Sequence, residues 1–383
     1  MGAMLHLEKL HAAIQALGEQ TVAQRRKNAA ALVTAQEWLR HAPAPEALRE
    51  QPLPSEEPGP ALAVPVSDEP LDTVTVIATA PPRGALVIGV DGSQIPPDRH
   101  AAILYYLLQV GGLRFTYNGQ APTEHTRPTL HYAPSELYDA QEQLIGSQLG
   151  MRRTVMELEY LAELVESAAQ PGILALTDGP LLWPYSGRSD EERAHLLPAY
   201  FAALTRMQQA QALPAGFVER PGGAPLLTLL RTSRPTVPLP PLAPLLSDQA
   251  LMAELLPPGG RSIWLRRHSA MNERHQQHGQ RICFCYLNTG APDYPVIARV
   301  ETPEWALAQP EQLDLLHAVL LHQARLLAGY PYVLARAHEL ALVTSQDKAA
   351  LEDQLHRQIL AHGELLRPSE KARQKGYLSA RRR

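Results

Sequence analysis

The stretch Ala85-Leu-Val-Ile-Gly-Val-Asp91-Gly-Ser-Gln-Ile95 decides how this chain is interpreted. An unbroken apolar run of this length indicates a buried strand, and the carboxylate of Asp91 closes the run. We expect Gly92 to turn the backbone sharply at that point. An isolated Asp-Gly pair is also a common structural turn, so a functional interpretation needs a second, independent feature.

That second feature is a repeat of the pattern, because Ile173-Leu-Ala-Leu-Thr-Asp178 is again an apolar run that ends in a carboxylate followed by glycine. Between the two runs, Gly111-Gly112 predicts the tight turn of an antiparallel hairpin. Helical spacing then predicts one long helical region from about Pro134 to Ser167. The predicted order is three strands, a helix and a fourth strand.

This order indicates a ribonuclease H-like (PIWI-like) α/β fold, in which helices flank a mixed sheet and the fourth strand lies beside the first. Asp91 and Asp178 would then meet at one sheet edge. Two carboxylates there, with a third nearby, can hold two divalent cations ~3.5–4 Å apart and hydrolyse a phosphodiester. Hard oxygen ligands favour Mg²⁺ or Mn²⁺ over Zn²⁺.

The third carboxylate is expected on the helix that precedes the Asp178 strand, which offers Glu157, Glu159, Glu163 and Glu166. At ~100° per residue, the last three share one side of the helix, as a solvated stripe does. Glu157 falls on the opposite, leucine-rich side, where an unpaired carboxylate is costly to bury. A metal ion or an ion pair with Arg153 would remove that cost, and we predict that Glu157 is the helix-borne metal ligand.

The N-terminal part of the chain has a different character. Apolar spacing predicts a helix or helical hairpin from Leu5 to Arg40, and residues 43–83 are rich in proline, as extended connectors are. We therefore divide the chain into an N-terminal helical appendage with its connector, residues 1–84, and a catalytic domain, residues 85–383. Cys283 and Cys285 alternate along a predicted strand and are expected to pack in the core.

Charge and hydropathy limit the partners. The net charge of −4 argues against a protein that coats nucleic acid, but basic clusters could contact DNA phosphates locally. The candidate residues are Arg266, Arg267, Arg274, Lys371 and Lys375. The alternative interpretation is that the arginines lie in a solvated loop and the lysines in a polar C-terminal tail. With no signal-peptide pattern and no apolar run of ~20 residues, we expect a cytoplasmic protein without a membrane partner.

Several motifs, taken together, resemble the bacterial branch of the NurA nuclease family. The resemblance covers about Leu86 to Lys375 and leaves the N-terminal helices and the connector outside. The matching segments are Ile88-Gly-Val-Asp-Gly-Ser-Gln-Ile95 with Pro97-Asp-Arg-His100, Leu176-Thr-Asp-Gly-Pro-Leu181, Cys285-Tyr-Leu-Asn-Thr-Gly290, residues 294–305 and Tyr330-Pro-Tyr-Val-Leu-Ala-Arg-Ala-His-Glu339.

The resemblance implies a manganese-dependent DNA nuclease, with Mg²⁺ as the alternative ion, that degrades ends from 5′ to 3′ and cuts single strands internally. It also implies a homodimer that works with a hexameric HerA-type ATPase in DNA end resection, during double-strand break repair by homologous recombination. Asp91 and Asp178 would hold the metal, a helix-borne glutamate would complete the site, and a tyrosine and a histidine would add an orienting group and a ligand. Tyr330 and His338 match that pair, and Tyr332 is an alternative to Tyr330.

Two other functions compete with this interpretation. ATP-dependent phosphotransferases of the actin and sugar-kinase superfamily also begin with an apolar strand that ends in Asp-Gly, but they need glycine-rich phosphate loops that lead into helices. Gly222-Gly223 and Gly259-Gly260 show no such context. A non-catalytic adaptor between DNA and a motor would leave the two Asp-Gly sites unexplained.

Overall fold

The computed structural model describes residues 6–50, 62–77, 84–139, 142–146, 148–184, 190–234 and 246–364. The chain divides into two compact units. The first comprises Met1–Thr79 and Phe217–Trp305, and the second comprises Ala80–Gly216 and Ala306–Arg383. This grouping differs from the predicted division at residue 84, because the N-terminal region shares its core with residues from the middle of the chain.

The strands are β1 (Leu62–Pro65), β2 (Val74–Val76), β3 (Leu86–Ile95), β4 (Tyr106–Thr116), β5 (Thr123–His131), β6 (Leu174–Asp178), β7 (Leu213–Val218), β8 (Gly260–Ser262), β9 (Leu265–His268), β10 (Ile282–Asn288) and β11 (Ile297–Pro303). The α-helices are α1 (His11–Arg40), α2 (Pro45–Arg49), α3 (Pro134–Leu137), α4 (Leu149–Ala168), α5 (Asp190–Gln209), α6 (Pro225–Thr232), α7 (Asp248–Leu255), α8 (Ala270–Gln277), α9 (Pro310–Leu326), α10 (Tyr332–Ala341) and α11 (Ser345–Ala361). Short 3-10 helices cover Leu7–Leu10 and Glu304–Ala308.

The second unit is built on a mixed sheet in the order β5-β4-β3-β6-β7. Strand β3 pairs antiparallel with β4 along its whole length, and β4 pairs antiparallel with β5. On its other side β3 pairs in parallel with β6, from Val87 opposite Leu174 to Val90 opposite Thr177. The fourth strand of the predicted series thus lies beside the first, which confirms the ribonuclease H-like arrangement of a mixed sheet flanked by helices.

The predicted hairpin turn at Gly111-Gly112 is wrong, since β4 runs straight through both residues. A β-carbon on Gly111 would overlap the carbonyl oxygen of Ala337 in α10, and one on Gly112 would lie 2.8 Å from Cδ1 of Leu164 in α4. Successive residues of a strand point to opposite faces, so the two glycines admit one helix on each face of the sheet. The chain instead turns between the end of β4 and the start of β5.

The predicted turn at Gly92 is wrong for a similar reason. Strand β3 continues through Asp91 and Gly92 to Ile95, and Asp91 therefore lies inside the strand instead of at its end. A β-carbon on Gly92 would overlap Oε1 of Glu157 and lie 3.0 Å from Cγ of Arg153. Gly92 is needed because α4 packs directly on the strand there.

The helical region predicted from Pro134 to Ser167 contains two helices, α3 and α4, separated by residues 138–148. In that segment Tyr138 forms a bridge with Leu144. Helix α4 buries its apolar side, which includes Leu158, Leu161 and Val165. Helix α10 packs along β3 and β4 on the opposite face through Val333, Leu334 and Ala337.

In the first unit the strands follow the order β1-β9-β10-β11, and β8 pairs with both β10 and β2. All residues of β10 are buried, including Cys283 and Cys285, which confirms their predicted place in the core. Helix α1 ends at Arg40, as predicted, and buries only its C-terminal part. The shared core includes Trp38, Leu230 and Tyr286.

None of the helices in the described ranges has the length and hydrophobicity that a bilayer crossing requires.

Candidate active site

Three carboxylates from separate elements face one cavity in the second unit. Val90 on β3 pairs with Thr177 on β6, so the next residues, Asp91 and Asp178, lie side by side on adjacent strands. Glu157 approaches from α4. The cavity has a volume of about 180 Å³, and it is lined by Asp91, Arg153, Thr154, Glu157, Leu158, Thr177, Asp178, Pro180, Pro184 and Tyr200.

Glu157 is the most deeply buried of the three carboxylates, with 8% of its surface exposed. The Nε atom of Arg153 lies 3.1 Å from Oε1 of Glu157, one helical turn away. Neither of these two atoms forms a hydrogen bond of acceptable geometry. Burial raises the pKa of Glu157 to about 8; the Arg153 charge opposes this rise, and the negative charges of Asp91 and Asp178 add to it.

Asp91 is held by two donors. Its Oδ1 accepts the backbone N–H of Gly92 at 2.8 Å, and its Oδ2 lies 2.6 Å from Nδ1 of His338. The imidazole of His338 is 62% exposed. This histidine lies on helix α10. Two hydrogen bonds hold the helix on the sheet: Ser93 donates its hydroxyl to the carbonyl of Ala341, and Gln109 donates to the carbonyl of Leu340 at 2.9 Å.

A divalent ion fits the donor chemistry of this cavity. Carboxylate oxygens are the ligands that Mn²⁺ and Mg²⁺ prefer, and Oε1 of Glu157 is a buried oxygen without a satisfactory hydrogen bond. As the side chains stand, no three acidic, histidine or cysteine residues in the described part of the chain are grouped closely enough to hold an ion. Metal binding therefore requires the carboxylate of Glu157 to leave its contact with Arg153.

The outer glutamates of α4 lie where helical geometry predicts. Glu163 forms an ion pair with Arg127, and Glu166 forms one with Arg206. Glu159 is not among the residues that line the cavity. Of the four rival carboxylates, Glu157 is the one that the structure brings to the cavity.

The predicted catalytic tyrosines lie elsewhere on the second unit. The ring of Tyr332, the first residue of α10, packs edge-on against Phe115 with 6.1 Å between centroids. It stands six residues before His338, or about 9 Å along the helix axis. Tyr330 is half-buried ahead of the helix. Neither tyrosine is among the lining residues, and a catalytic role for Tyr330 stays a prediction.

The predicted DNA-contacting cations belong to other parts of the chain. Arg266 and Arg267 lie on β9, where Arg266 is 3.4 Å from Glu304, and Arg274 is exposed on α8. These residues are in the first unit. Lys371 and Lys375 lie outside the described residues. A DNA-binding role for all five stays a prediction.

Arg153 is a cavity residue that the sequence pattern did not predict as part of the site. Arg153 enters the sequence argument only as an alternative partner for Glu157, yet it lines the same cavity as all three carboxylates. The signal for it is its spacing of four residues from Glu157, which places two helical residues on one side. That spacing alone does not distinguish a surface pair from a buried one.

Comparison with known proteins identifies the family. A family model described as the NurA domain matches residues 85–343. The chain belongs to the NurA family. The matched range contains Asp91, Glu157, Asp178 and His338, and it begins at residue 85, where the catalytic domain is predicted to begin.

Solved structures of NurA proteins resemble the chain at low sequence identity. The NurA nuclease from Sulfolobus solfataricus is 14% identical, with a TM-score of 0.51, and the match covers 76% of this chain and 88% of that one. A NurA structure with manganese is 12% identical, with a TM-score of 0.40 and coverage of 91% and 100%. The first of these matches shows a shared fold. None of the curated proteins matches the chain.

Proposed function

We propose that this NurA-family protein is a metal-dependent DNA nuclease, which degrades ends from 5′ to 3′ and cuts single strands internally. The observation that carries the proposal is the cavity in which Asp91, Glu157 and Asp178 meet from two adjacent strands and a helix. Asp91 and Asp178 are also the residues whose Asp-Gly motifs resemble the NurA family. A structural core has no need for three carboxylates at one point, because they repel one another and resist burial.

In this proposal Asp91, Glu157, Asp178 and His338 hold Mn²⁺, with Mg²⁺ as the alternative. When bound, divalent ions would supply two-metal chemistry, which polarises the scissile phosphodiester and lowers the pKa of an attacking water. The protein's part is to place the donors. Gly92 lets Glu157 approach the strand, and His338 fixes the orientation of the Asp91 carboxylate through Oδ2. Because Nδ1 is occupied by Asp91, Nε2 of His338 is the nitrogen left to serve as a ligand.

The proposal extends to the partners. We propose that the protein acts as a homodimer with a hexameric HerA-type ATPase, in end resection during double-strand break repair. Family membership and the paired motifs support this part, and no contact within the chain bears on it. Co-elution of the two proteins on a sizing column, together with stimulation of cleavage by ATP, tests it. Separate elution and cleavage that does not respond to the ATPase would contradict it.

The catalytic part is tested with end-labelled single-stranded and double-stranded DNA in Mn²⁺, Mg²⁺ or EDTA. We expect Mn²⁺-dependent cleavage by the wild type and a loss of more than about 100-fold in Asp91→Asn, because a metal donor is lost. Glu166→Gln is the matched control, since Glu166 pairs with Arg206 on the outer side of α4. Equal cleavage by the wild type and Asp91→Asn, or cleavage in EDTA, would refute the proposal.

A further inference from the structure

Arg153 places a positive charge within the carboxylate cavity. Its aliphatic stem packs on β3, where a β-carbon on Gly92 would lie 3.0 Å from Cγ of Arg153. Its head lies 3.1 Å from Glu157 at Nε, and about one third of the side chain, 33%, is exposed. The stem is therefore held against the sheet, and Nε lies beside the carboxylate of Glu157.

The ion pair between Arg153 and Glu157 balances charge without a well-formed hydrogen bond. Nε of Arg153 and Oε1 of Glu157 are both buried atoms without a hydrogen-bond partner of acceptable geometry. A buried pair whose donors and acceptors are poorly aligned recovers little of the cost of desolvating the two groups. A cation with better access to the oxygen can therefore replace the guanidinium at modest cost.

The alternative is a purely structural pair, in which Arg153 fastens α4 to the sheet. Such a pair would use the planar guanidinium in a bidentate contact, as Arg127 does on the same helix with both oxygens of Glu163. The Arg153 contact has a different form. Its Nε lies 3.1 Å from Oε1 of Glu157, neither atom has a hydrogen-bond partner of acceptable geometry, and the carboxylate lines a cavity with Asp91 and Asp178.

We propose that Arg153 and a divalent cation compete for Glu157, so that Arg153 is a positioning residue that neutralises this carboxylate until a cation replaces it. The inference rests on the proposed metal-dependent function. Arg153 lowers the affinity of Glu157 for a cation, and it stabilises the cavity when no cation is bound by balancing the charge of Glu157. Removing the guanidinium should then strengthen cation binding and weaken the fold when no cation is present.

The test is the binding of Mn²⁺ to the full chain, measured by isothermal titration calorimetry without DNA. We expect Arg153→Met to lower the Kd for Mn²⁺ about tenfold relative to wild type, whereas Arg153→Lys, which keeps the charge, should stay close to wild type. Arg152→Met is the matched neutralisation, because Arg152 donates to the hydroxyl of Tyr106 and the carbonyl of Glu136 instead of to Glu157. Its Kd should change by less than about twofold.

Thermal unfolding gives a second measurement on the same proteins. In EDTA, Arg153→Met should unfold at a lower temperature than wild type, and the rise in Tm caused by Mn²⁺ should be larger in the variant. A merely structural arginine would lower Tm equally with and without Mn²⁺. Arg153→Gln, with a neutral polar head, serves if Arg153→Met does not fold, and the same direction of change is expected.

The outcomes separate the inference from the proposed function. A wild type that binds no Mn²⁺ overturns both. A wild type that binds Mn²⁺, with unchanged or weaker binding in both Arg153→Met and Arg153→Gln, overturns the inference alone. Equal tightening in Arg152→Met and Arg153→Met also overturns it, because general charge loss would then explain the effect.

Discussion

Glu157 shows how one residue's environment can be anticipated from helical geometry. A carboxylate with 8% exposure, beside two aspartates, destabilises the fold. Its presence there indicates a functional role. Burial raises its pKa to about 8 although the charge of Arg153 opposes the rise, so the fold is destabilised whenever this carboxylate is charged. A neutral amide at this position should therefore be tolerated by the fold.

We predict that Glu157→Gln lowers Mn²⁺-dependent DNA cleavage by more than about 100-fold, because an amide is a much poorer metal ligand than a carboxylate. The free energy of unfolding in EDTA should change by less than about 1 kcal/mol, since Gln has nearly the same shape. Cleavage assays and chemical unfolding check the two parts. Glu163→Gln, on the outer side of α4, should cleave like wild type, and a reversed pattern would move the catalytic role to the outer glutamates.

Strands β3 and β4 owe their place between two helices to glycines. Gly111 lies against the backbone of α10, with the amide nitrogen of Ala341 only 2.5 Å from where its β-carbon would be. Backbone atoms cannot move aside as a flexible side chain can, so α10 as a whole would have to shift. Because α10 carries His338, such a shift would alter the contact with Asp91.

We predict that Gly111→Ala destabilises the protein by about 1–3 kcal/mol and lowers cleavage activity, because His338 would be displaced. Thermal unfolding and the DNA cleavage assay measure the two effects. Gly18→Ala is the control, because that glycine lies inside α1 with no other heavy atom near its β-carbon position. This control should gain about 0.5–1 kcal/mol. A Gly111→Ala protein as stable as wild type would mean that α10 does not approach β4 so closely.

Helix α1 divides into a packed end and an exposed end. Ala35, Trp38 and Leu39 are buried, whereas the helix and the 3-10 turn before it expose an apolar stripe of Leu7, Leu10, Ile14 and Leu17. The spacing of three and four residues is that of a helix–helix seam. Deleting residues 1–40 would remove part of the core as well, so point substitutions are the better test of this stripe.

We predict that the double substitution Leu10→Asp with Leu17→Asp lowers the proportion of homodimer without loss of Tm, because charges would line an apolar contact between two copies. Light scattering coupled to a sizing column measures the mass. Val33→Asp is the control, since Val33 is similarly exposed but lies about 130° around the helix from the centre of the stripe. A full-size dimer in the double variant would show that the stripe is not the dimer contact.

At the scale of the whole molecule, stability should depend on pH through His275, which is buried on α8 and donates Nδ1–H to the carbonyl of Gln280 at 3.1 Å. Burial lowers its pKa to about 4 from an ordinary value near 6.5. Between pH 4 and 6.5, His275 is therefore protonated in the unfolded chain but neutral in the folded protein. Stability from this residue is therefore complete above about pH 6.5 and is lost as the pH falls toward 4.

We predict that wild type loses up to a few kcal/mol of unfolding free energy through His275 between pH 6.5 and 4, and that His275→Asn loses correspondingly less over the same interval. The raised pKa values of Asp248 and Glu157 act in the opposite direction, so the difference between the two proteins is the quantity to measure. Parallel urea titrations at several pH values provide it. If the unfolding free energy of the two proteins changed equally with pH, His275 would not be the residue responsible.

The sequence by itself determined the features that repeat along one element. Apolar runs located β3 and β6 and hence the neighbouring pair Asp91 and Asp178, and helical periodicity put Glu157 on the buried side of α4. The motif resemblance gave the family. These inferences succeeded because burial imposes a period of about two in strands and 3.6 in helices, which local sequence records directly.

Only the tertiary structure decided what non-neighbouring segments do to each other. Glycine in a strand fits a turn as well as a close helix contact, so the roles of Gly92 and Gly111 became clear only when α4 and α10 were in place. The contact between Asp91 and His338 joins residues 247 positions apart. The burial of Trp38 with Tyr286 likewise depends on long-range packing. Such contacts leave no local period, because their energy depends on the fold as a whole.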